Sequence, residues 1–283
     1  MAADHGYLTI DAAEFDRAFA HASSAIHHAL ADHPLFSLEA IARLAERLPA
    51  DQLRRERGDL PLDDRGYVDV GAGPPSETVL GIEDNGFRVT LREIQSDDEY
   101  GPLIAACQRE IASLLGSREG GVFRPSGYIF VTAPGGTTPM HFDGEHSFLL
   151  QIRGHKTVHT VPRVQPEAIQ LELDRYYDGA PCSFDAMRET AERFEIGAGE
   201  GVYFPSFLPH WVTTGGSASV SFSLPFYTHF SRRAEDVNRI NTRLRKLGLS
   251  PKPPGRSEPI DHAKAAVLRS MRALRSPFQN VST

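Results

Sequence analysis

Two short segments carry side chains that could act together on one centre. They are Thr138-Pro-Met-His141-Phe-Asp143, and Pro209-His210-Trp211, whose histidine lies 67 residues beyond Asp143. On an extended strand alternate side chains share a face, so His141 and Asp143 point the same way while Phe142 turns to the other side. An imidazole and a carboxylate are thereby delivered together. His210, expected just after the short strand Gly201-Val-Tyr-Phe204, would supply a third ligand if the two strands are neighbours. Three donors on one side of a metal leave the other side open. An open side suits an iron oxygenase, which must admit a cosubstrate and dioxygen, whereas structural zinc is closed by four protein ligands. With 12 His and 37 Asp plus Glu in the chain, a His-x-Asp pair also arises by chance, so context has to carry the assignment.

That context includes Lys156. Gln151-Ile-Arg-Gly-His-Lys156 reads as a strand, a turn at Gly154 and a returning strand that brings the lysine back toward the metal. A lysine among Ile152, Val158 and Val161 is costly to desolvate unless an anion meets it. A dicarboxylate that chelates iron at one end and meets Lys156 at the other satisfies both demands; an exposed strand lysine is the plain alternative. Glu145 and Arg124 are candidate substrate contacts at the mouth of the site, where loops carry specificity. Trp211 either walls the site or packs in the core. His146, after the Gly144 turn, reads as substrate-side or solvated, and His155 and His159 as structural.

The elements that must position these groups fall into three zones. The first runs to about residue 120 and is helical or mixed. Phe15, Phe19, Ile26 and Leu30 follow helical spacing, as do Leu38, Ile41, Leu44 and Leu48 between the cap candidate Ser37 and Pro49. Residues 51–86 give weak signals, and Phe87 to Ile94 alternates like a strand. Ser96-Asp-Asp-Glu99 resembles a capping box for a helix ending at Leu115, with Pro102 moving its start toward Gly101.

The second zone, 121–228, is rich in short β runs: Tyr128 to Thr132, Ser147 to Arg153, Lys156 to Val161, Gly201 to Phe204 and Ala218 to Tyr227. Many short strands without intervening helices indicate a sandwich or barrel. An insertion at 164–197, helical around Phe184 to Phe194, is expected over the barrel opening, with its Tyr176-Tyr177 pair contacting substrate or packing the insertion. The third zone, 229–283, is helical. Val237, Ile240, Leu244 and Leu247 form one stripe ending at Gly248, Pro251, Pro253 and Pro254 mark a linker, and Ile260, Val267, Met271 and Leu274 form a last amphipathic helix.

His141-x-Asp143, Thr138, Lys156 and Pro209-His210-Trp211 after Gly199-Glu-Gly-Val-Tyr-Phe resemble the jumonji C-type iron(II)- and 2-oxoglutarate-dependent oxygenases. Closest in pattern is the branch of the protein asparaginyl hydroxylase acting on hypoxia-inducible factor, with its bacterial cupin-like relatives. The resemblance covers 121–228. It implies a mainly β fold, a double-stranded β-helix (jelly roll, cupin-like) with flanking helices, and Fe(II) on His141, Asp143 and His210. It also implies a 2-oxoglutarate distal carboxylate held by Lys156 and the Thr138 hydroxyl, with help from Tyr128. Two asparagines of that branch correspond here to Ser147 and Ser221. The implied reaction consumes O2, releases succinate and CO2, and hydroxylates the substrate.

The substrate expected is an amino-acid side chain in a protein or peptide. The alternatives are a small-molecule hydroxylase, N-methyl-lysine demethylation, a cosubstrate-independent cupin enzyme and a non-catalytic cupin-like binding module. Five assembled site residues argue against the last, and the usual cupin His-x-His pattern is missing at His141-Phe-Asp143.

Composition sets outer bounds. The 283 residues are 40% apolar and 24% charged, which excludes disorder, collagen-like repeats and a disulfide-stapled miniature fold. No apolar run approaches the roughly 20 residues of a membrane span, and Asp4 and Asp11 stand where a secretion signal would be basic. A membrane partner is therefore not expected and the location reads as cytoplasmic. Cys107 and Cys182 are too few for a thiolate zinc site and fit a reducing compartment. The net charge of −7 is uneven: residues 229–283 hold 12 Lys/Arg against 4 Asp/Glu, residues 1–228 hold 18 against 33. The basic end reads as solvated helix faces; the C-terminal helices suit either a macromolecular partner or a homodimer, and nucleic acid is not expected.

Overall fold

The structure, a computed structural model, describes residues 6–58, 71, 73–162, 166–180, 182 and 185–275. Its N-terminal region comprises β1 (Leu8–Thr9), α1 (Ala12–Ala18), β2 (Ser24–His28), α2 (Leu38–Arg47), β3 (Leu53–Arg57), α3 (Pro75–Leu80), β4 (Phe87–Leu91) and α4 (Tyr100–Leu115). Helix α2 starts where its sequence says it should: the Ser37 hydroxyl accepts the Ala40 N–H at 3.2 Å, and Ile41 and Leu44 are fully buried. Helix α4 takes its cap from Asp97, which accepts the Glu99 and Tyr100 N–H groups at 3.0 and 3.3 Å. Pro102 falls in the first turn, where a backbone N–H has no helical partner to lose. Ile26 leaves the helical pattern of Phe15 and Phe19 altogether. It lies in β2, facing Gly201 of a core strand whose added Cβ would stand 2.5 Å from the Leu149 carbonyl oxygen. Tertiary pairing decides its conformation.

Beyond α4 come β5 (Val122–Phe123), β6 (Tyr128–Thr132), β7 (Thr137–His141), β8 (His146–Arg153), β9 (Lys156–Thr160), α5 (Pro166–Asp178), β10 (Glu192–Ile196), β11 (Glu200–Phe204), β12 (His210–Thr214) and β13 (Ser219–Thr228). All pairings are antiparallel. One sheet runs β1-β2-β11-β8-β13-β6-β4-β3, with β5 beside β13; the other runs β10-β9-β12-β7. Apart from the β9–β10 pair, which stays in one sheet, successive strands from β6 to β13 alternate between the two sheets. This is the jelly-roll pattern, with the first sheet widened on both edges by N-terminal strands. The expected helix around 184–194 does not form. Asp185–Thr190 is a 3-10 turn and Phe194 lies in β10, which pairs along the whole of β9, while Phe184 lies outside the described residues.

Alternation divides the strands of the larger sheet. His146, Phe148 and Leu150 of β8 face the N-terminal helices in an aromatic core with Phe15, Phe19, Tyr203 and Phe226. Ser147, Leu149 and Gln151 face the barrel interior.

Two helices end the chain: α6 (His229–Lys246) and α7 (Glu258–Arg275). Thr228 caps α6 reciprocally with Ser231, and Gly248 (φ 76°) terminates it in a backbone region that glycine adopts readily. The stripe expected to serve a dimer is mostly used internally: Val237 and Ile240 are buried within the chain, and only Leu247 is freely exposed, at 76%. On α7 the buried face carries Asp261, Ala265 and Leu268, whereas Ile260 and Val267 are exposed; the Leu274 side chain is outside the described residues. Among the described residues no helix is long and apolar enough to cross a membrane, and no disulfide joins Cys107 to Cys182.

Candidate metal and cosubstrate site

The last residue of β7 and the first of β12 stand opposite each other in the register of the smaller sheet, which brings His141 and His210 side by side with ring centroids 4.3 Å apart. Asp143 follows β7 by two residues. Its Oδ2 lies 3.7 Å from His141 Nε2 and 3.8 Å from His210 Nε2, and the three donor atoms all fall within 4.8 Å of one another. Each imidazole is oriented by its own strand. His141 Nδ1 lies 2.8 Å from the Pro139 carbonyl and His210 Nδ1 2.9 Å from that of Leu208. A carbonyl only accepts, so both Nδ1 atoms carry the proton and both Nε2 lone pairs face Asp143. Burial, reinforced by His141, lowers the His210 pKa to about 4, which keeps this ring neutral and able to ligate. Phe204 stacks on the His210 ring at 4.5 Å. The loop before His210 is latched to the aspartate: Phe207, at φ 59°, donates its N–H to the Asp143 carbonyl at 2.6 Å. A left-handed phenylalanine is strained, and the tie it permits holds two ligand-bearing segments together. Neither Phe204 nor Phe207 carries a sequence signal that singles it out.

Thr138 reaches the same face despite odd spacing. His141 is opposite His210 but Thr138 is opposite Val212, so β7 holds one extra residue at a bulge around Pro139. The bulge turns Thr138 inward, and proline is tolerated there because it has no N–H to give. Deeper in the barrel, β9 presents Lys156, Val158 and Thr160 inward. Lys156 is 6% exposed; its Nζ lies 6.0 Å from the Phe130 ring centroid and has no hydrogen bond or ion pair among the described residues. Burial, with the charge of Arg88 adding to it, pulls its pKa down to about 7.

The remaining expectations divide. Ser147 faces the interior, but its hydroxyl is 2.8 Å from that of Ser223; Ser221 instead donates to Gln151 Oε1 at 2.7 Å. Ser223, two residues along the same strand face, is therefore the partner of Ser147, and Ser221 is engaged by Gln151. Tyr128 points inward and donates its hydroxyl to Glu93 Oε1 at 3.1 Å. Glu145 sits just past the aspartate, where burial and then the Asp143 charge raise its pKa to about 7. Arg124 is exposed in the β5–β6 loop, its guanidinium over Phe123, and no contact among the described residues joins it to the triad. Trp211 faces away from the interior, stacked on His159 at 4.4 Å with Arg188 above it, so it braces the sheet's outer face and does not wall the site. His146 is neither solvated nor substrate-side: it is fully buried, stacked between Phe19 and Phe226, with Nδ1 2.8 Å from the Tyr203 hydroxyl. Adjacent strand residues face opposite sides, and here Ser147 takes the interior. Tyr176, on α5, meets Phe142 edge-on at 5.2 Å on the outside of β7.

The jelly roll defines a cupin-like fold, its His-Asp-His cluster could hold a metal ion, and likeness to known proteins agrees with the fold. Residues 116–233 match the family model described as JmjC domain. Among solved structures, the fold is similar to Escherichia coli ycfD, with 17% identity and a TM-score of 0.54, covering 95% of this chain and 68% of that one. It is also similar to YcfD, a ribosomal oxygenase from Escherichia coli in complex with cobalt and succinic acid, at 14% identity and a TM-score of 0.50, covering 95% and 67%. No curated protein matches the sequence.

Proposed function

We propose that this chain is an iron(II)- and 2-oxoglutarate-dependent oxygenase that hydroxylates an amino-acid side chain of a protein or peptide, releasing succinate and CO2. The observation that carries the reading is a three-donor cluster on the same barrel interior as a buried lysine that has no partner among the described residues. Two imidazoles and one carboxylate fit ferrous iron. Lys156 fits the second carboxylate of the cosubstrate, since a buried ammonium demands an anion. When bound, iron and 2-oxoglutarate supply the oxidising chemistry.

The residues position and shield. His141, His210 and Asp143 hold the metal, with both imidazoles fixed by their carbonyl acceptors. Lys156 meets the distal carboxylate and Thr138, turned inward by the bulge, adds a hydroxyl donor. Ser147 and Ser223 offer hydroxyls on the facing sheet, and Tyr128 points into the same interior. Glu145, beside the aspartate, is the nearest of the proposed substrate contacts. A protein substrate accords with the fold's likeness to a ribosomal oxygenase, and a cytoplasmic location belongs to the same reading.

Anaerobic addition of iron(II) and 2-oxoglutarate tests the site. Wild type should develop a weak visible charge-transfer band, His141→Ala none, and Lys156→Ala the band only at roughly tenfold or more cosubstrate. An unchanged band in either variant refutes the assigned role. Succinate release should be stimulated by peptide pools; stimulation by metabolite pools alone removes the protein-hydroxylase reading.

A further inference from the structure

The inner end of the barrel holds a charge arrangement that the metal ligands do not use. Lys156 stands opposite Thr214, and the Thr214 N–H donates to the Gly136 carbonyl at 2.8 Å, tying this row to the β6–β7 turn. One residue further on, the Thr137 carbonyl accepts from Arg88 Nη1 at 2.5 Å. Arg88 comes from β4, outside the JmjC segment, and is only 2% exposed. Its other edge is gripped by Glu56, whose Oε2 accepts from Nε at 3.2 Å and Nη2 at 2.8 Å. Glu56 is thus engaged by Arg88, and the charge left without a carboxylate among the described residues is that of Lys156. Moving a guanidinium into this position is costly unless something returns the energy. Glu56 and the Thr137 carbonyl return part of it by hydrogen bonding.

We infer that Arg88 is a positioning residue for the cosubstrate: it holds the Thr137 carbonyl and adds its field to the charge of Lys156, so that the pocket selects a 2-oxo acid bearing a second carboxylate. Arg88 acts in two ways, through its field and through the carbonyl of Thr137, the residue before Thr138. Glu56 moderates the field. The inference rests on the proposed oxygenase reading and adds to it a pair of residues from the N-terminal region.

The test is equilibrium binding, without turnover. 2-Oxoglutarate and 2-oxobutyrate, which lacks the distal carboxylate, are titrated anaerobically at pH 6 into the manganese(II)-loaded full chain. Arg88→Gln should weaken 2-oxoglutarate about tenfold while leaving 2-oxobutyrate unchanged, and Arg88→Lys should recover most of the difference. Glu56→Gln should shift the 2-oxoglutarate to 2-oxobutyrate ratio the opposite way, by about threefold. A merely structural Arg88–Glu56 pair would weaken both ligands in both variants, and that result overturns the inference, as does an unchanged ratio. Thermal melts separate misfolding from selectivity, and Glu56→Gln keeps the test decisive if Arg88→Gln fails to fold. Absence of 2-oxoglutarate binding by wild type would overturn the oxygenase reading and this inference together; normal wild-type binding with unmoved ratios overturns this inference alone.

Discussion

The two faces of the larger sheet are built by the same strands and differ in almost everything else. Outside, His146, Phe148 and Phe226 stack with Phe15, Phe19 and Tyr203 under the N-terminal helices. Inside, one residue over, Ser147, Gln151, Ser221 and Ser223 form a polar lining opposite the His-Asp-His cluster and Lys156. The difference teaches that identical residue types acquire their roles from strand parity. His146 and His210 are both buried histidines, yet one is an aromatic core member bonded to a phenol and the other presents Nε2 to a carboxylate. A dense core on one face supplies the rigidity that lets the other remain polar and incompletely satisfied.

The contrast can be broken most severely from the inside. His210→Ala should abolish measurable succinate release while moving the unfolding transition little, checked by product assay and urea titration on the same sample. From the outside, Phe148→Ala should cost about 3–5 kcal/mol of stability through the cavity it leaves, read as a lower urea midpoint. Lys156→Met sharpens the comparison because it removes a buried cation and should stabilise the unliganded protein. The folded pKa of Lys156 is about 7 against an ordinary 10.5. Between those values the unfolded chain holds a proton that the folded chain lacks, so this lysine makes stability rise with pH across that window. The advantage of Lys156→Met in thermal melts should be greatest at and below pH 7 and shrink toward pH 10; a constant advantage would contradict the assignment. Smallest of all, Ser223→Ala should change stability by about 1 kcal/mol or less, since it removes one neutral hydrogen bond, and should alter cosubstrate affinity more than it alters the melt.

Much of this was legible in residue order. Five core strands, β6, β8, β9, β11 and β13, lie within a residue or two of the runs read from alternation, because a half-buried strand imposes a period of two on its own sequence. Helix α2 was legible from Ser37 through Leu48 for the same local reason. Less legible were β2, where Ile26 fits a helical stripe until β11 pairs with it, and β10, whose Phe194 fell in a segment of helical spacing. Both are strands whose conformation is fixed by a distant partner, and propensity is a weak prior against that.

Sequence alone determined that His141, Asp143 and His210 are the right kinds of donor and that Lys156 needs an anion, since ligand chemistry and desolvation belong to residue type. Only the tertiary structure decided that β7 and β12 are neighbours, that a bulge at Pro139 turns Thr138 inward, that Ser223 meets Ser147, and that Arg88 arrives from outside residues 116–233. These are facts of register and of long-range pairing. A slip of one residue in register would turn Thr138, Ser223 or Arg88 to the opposite face without altering the composition of any strand.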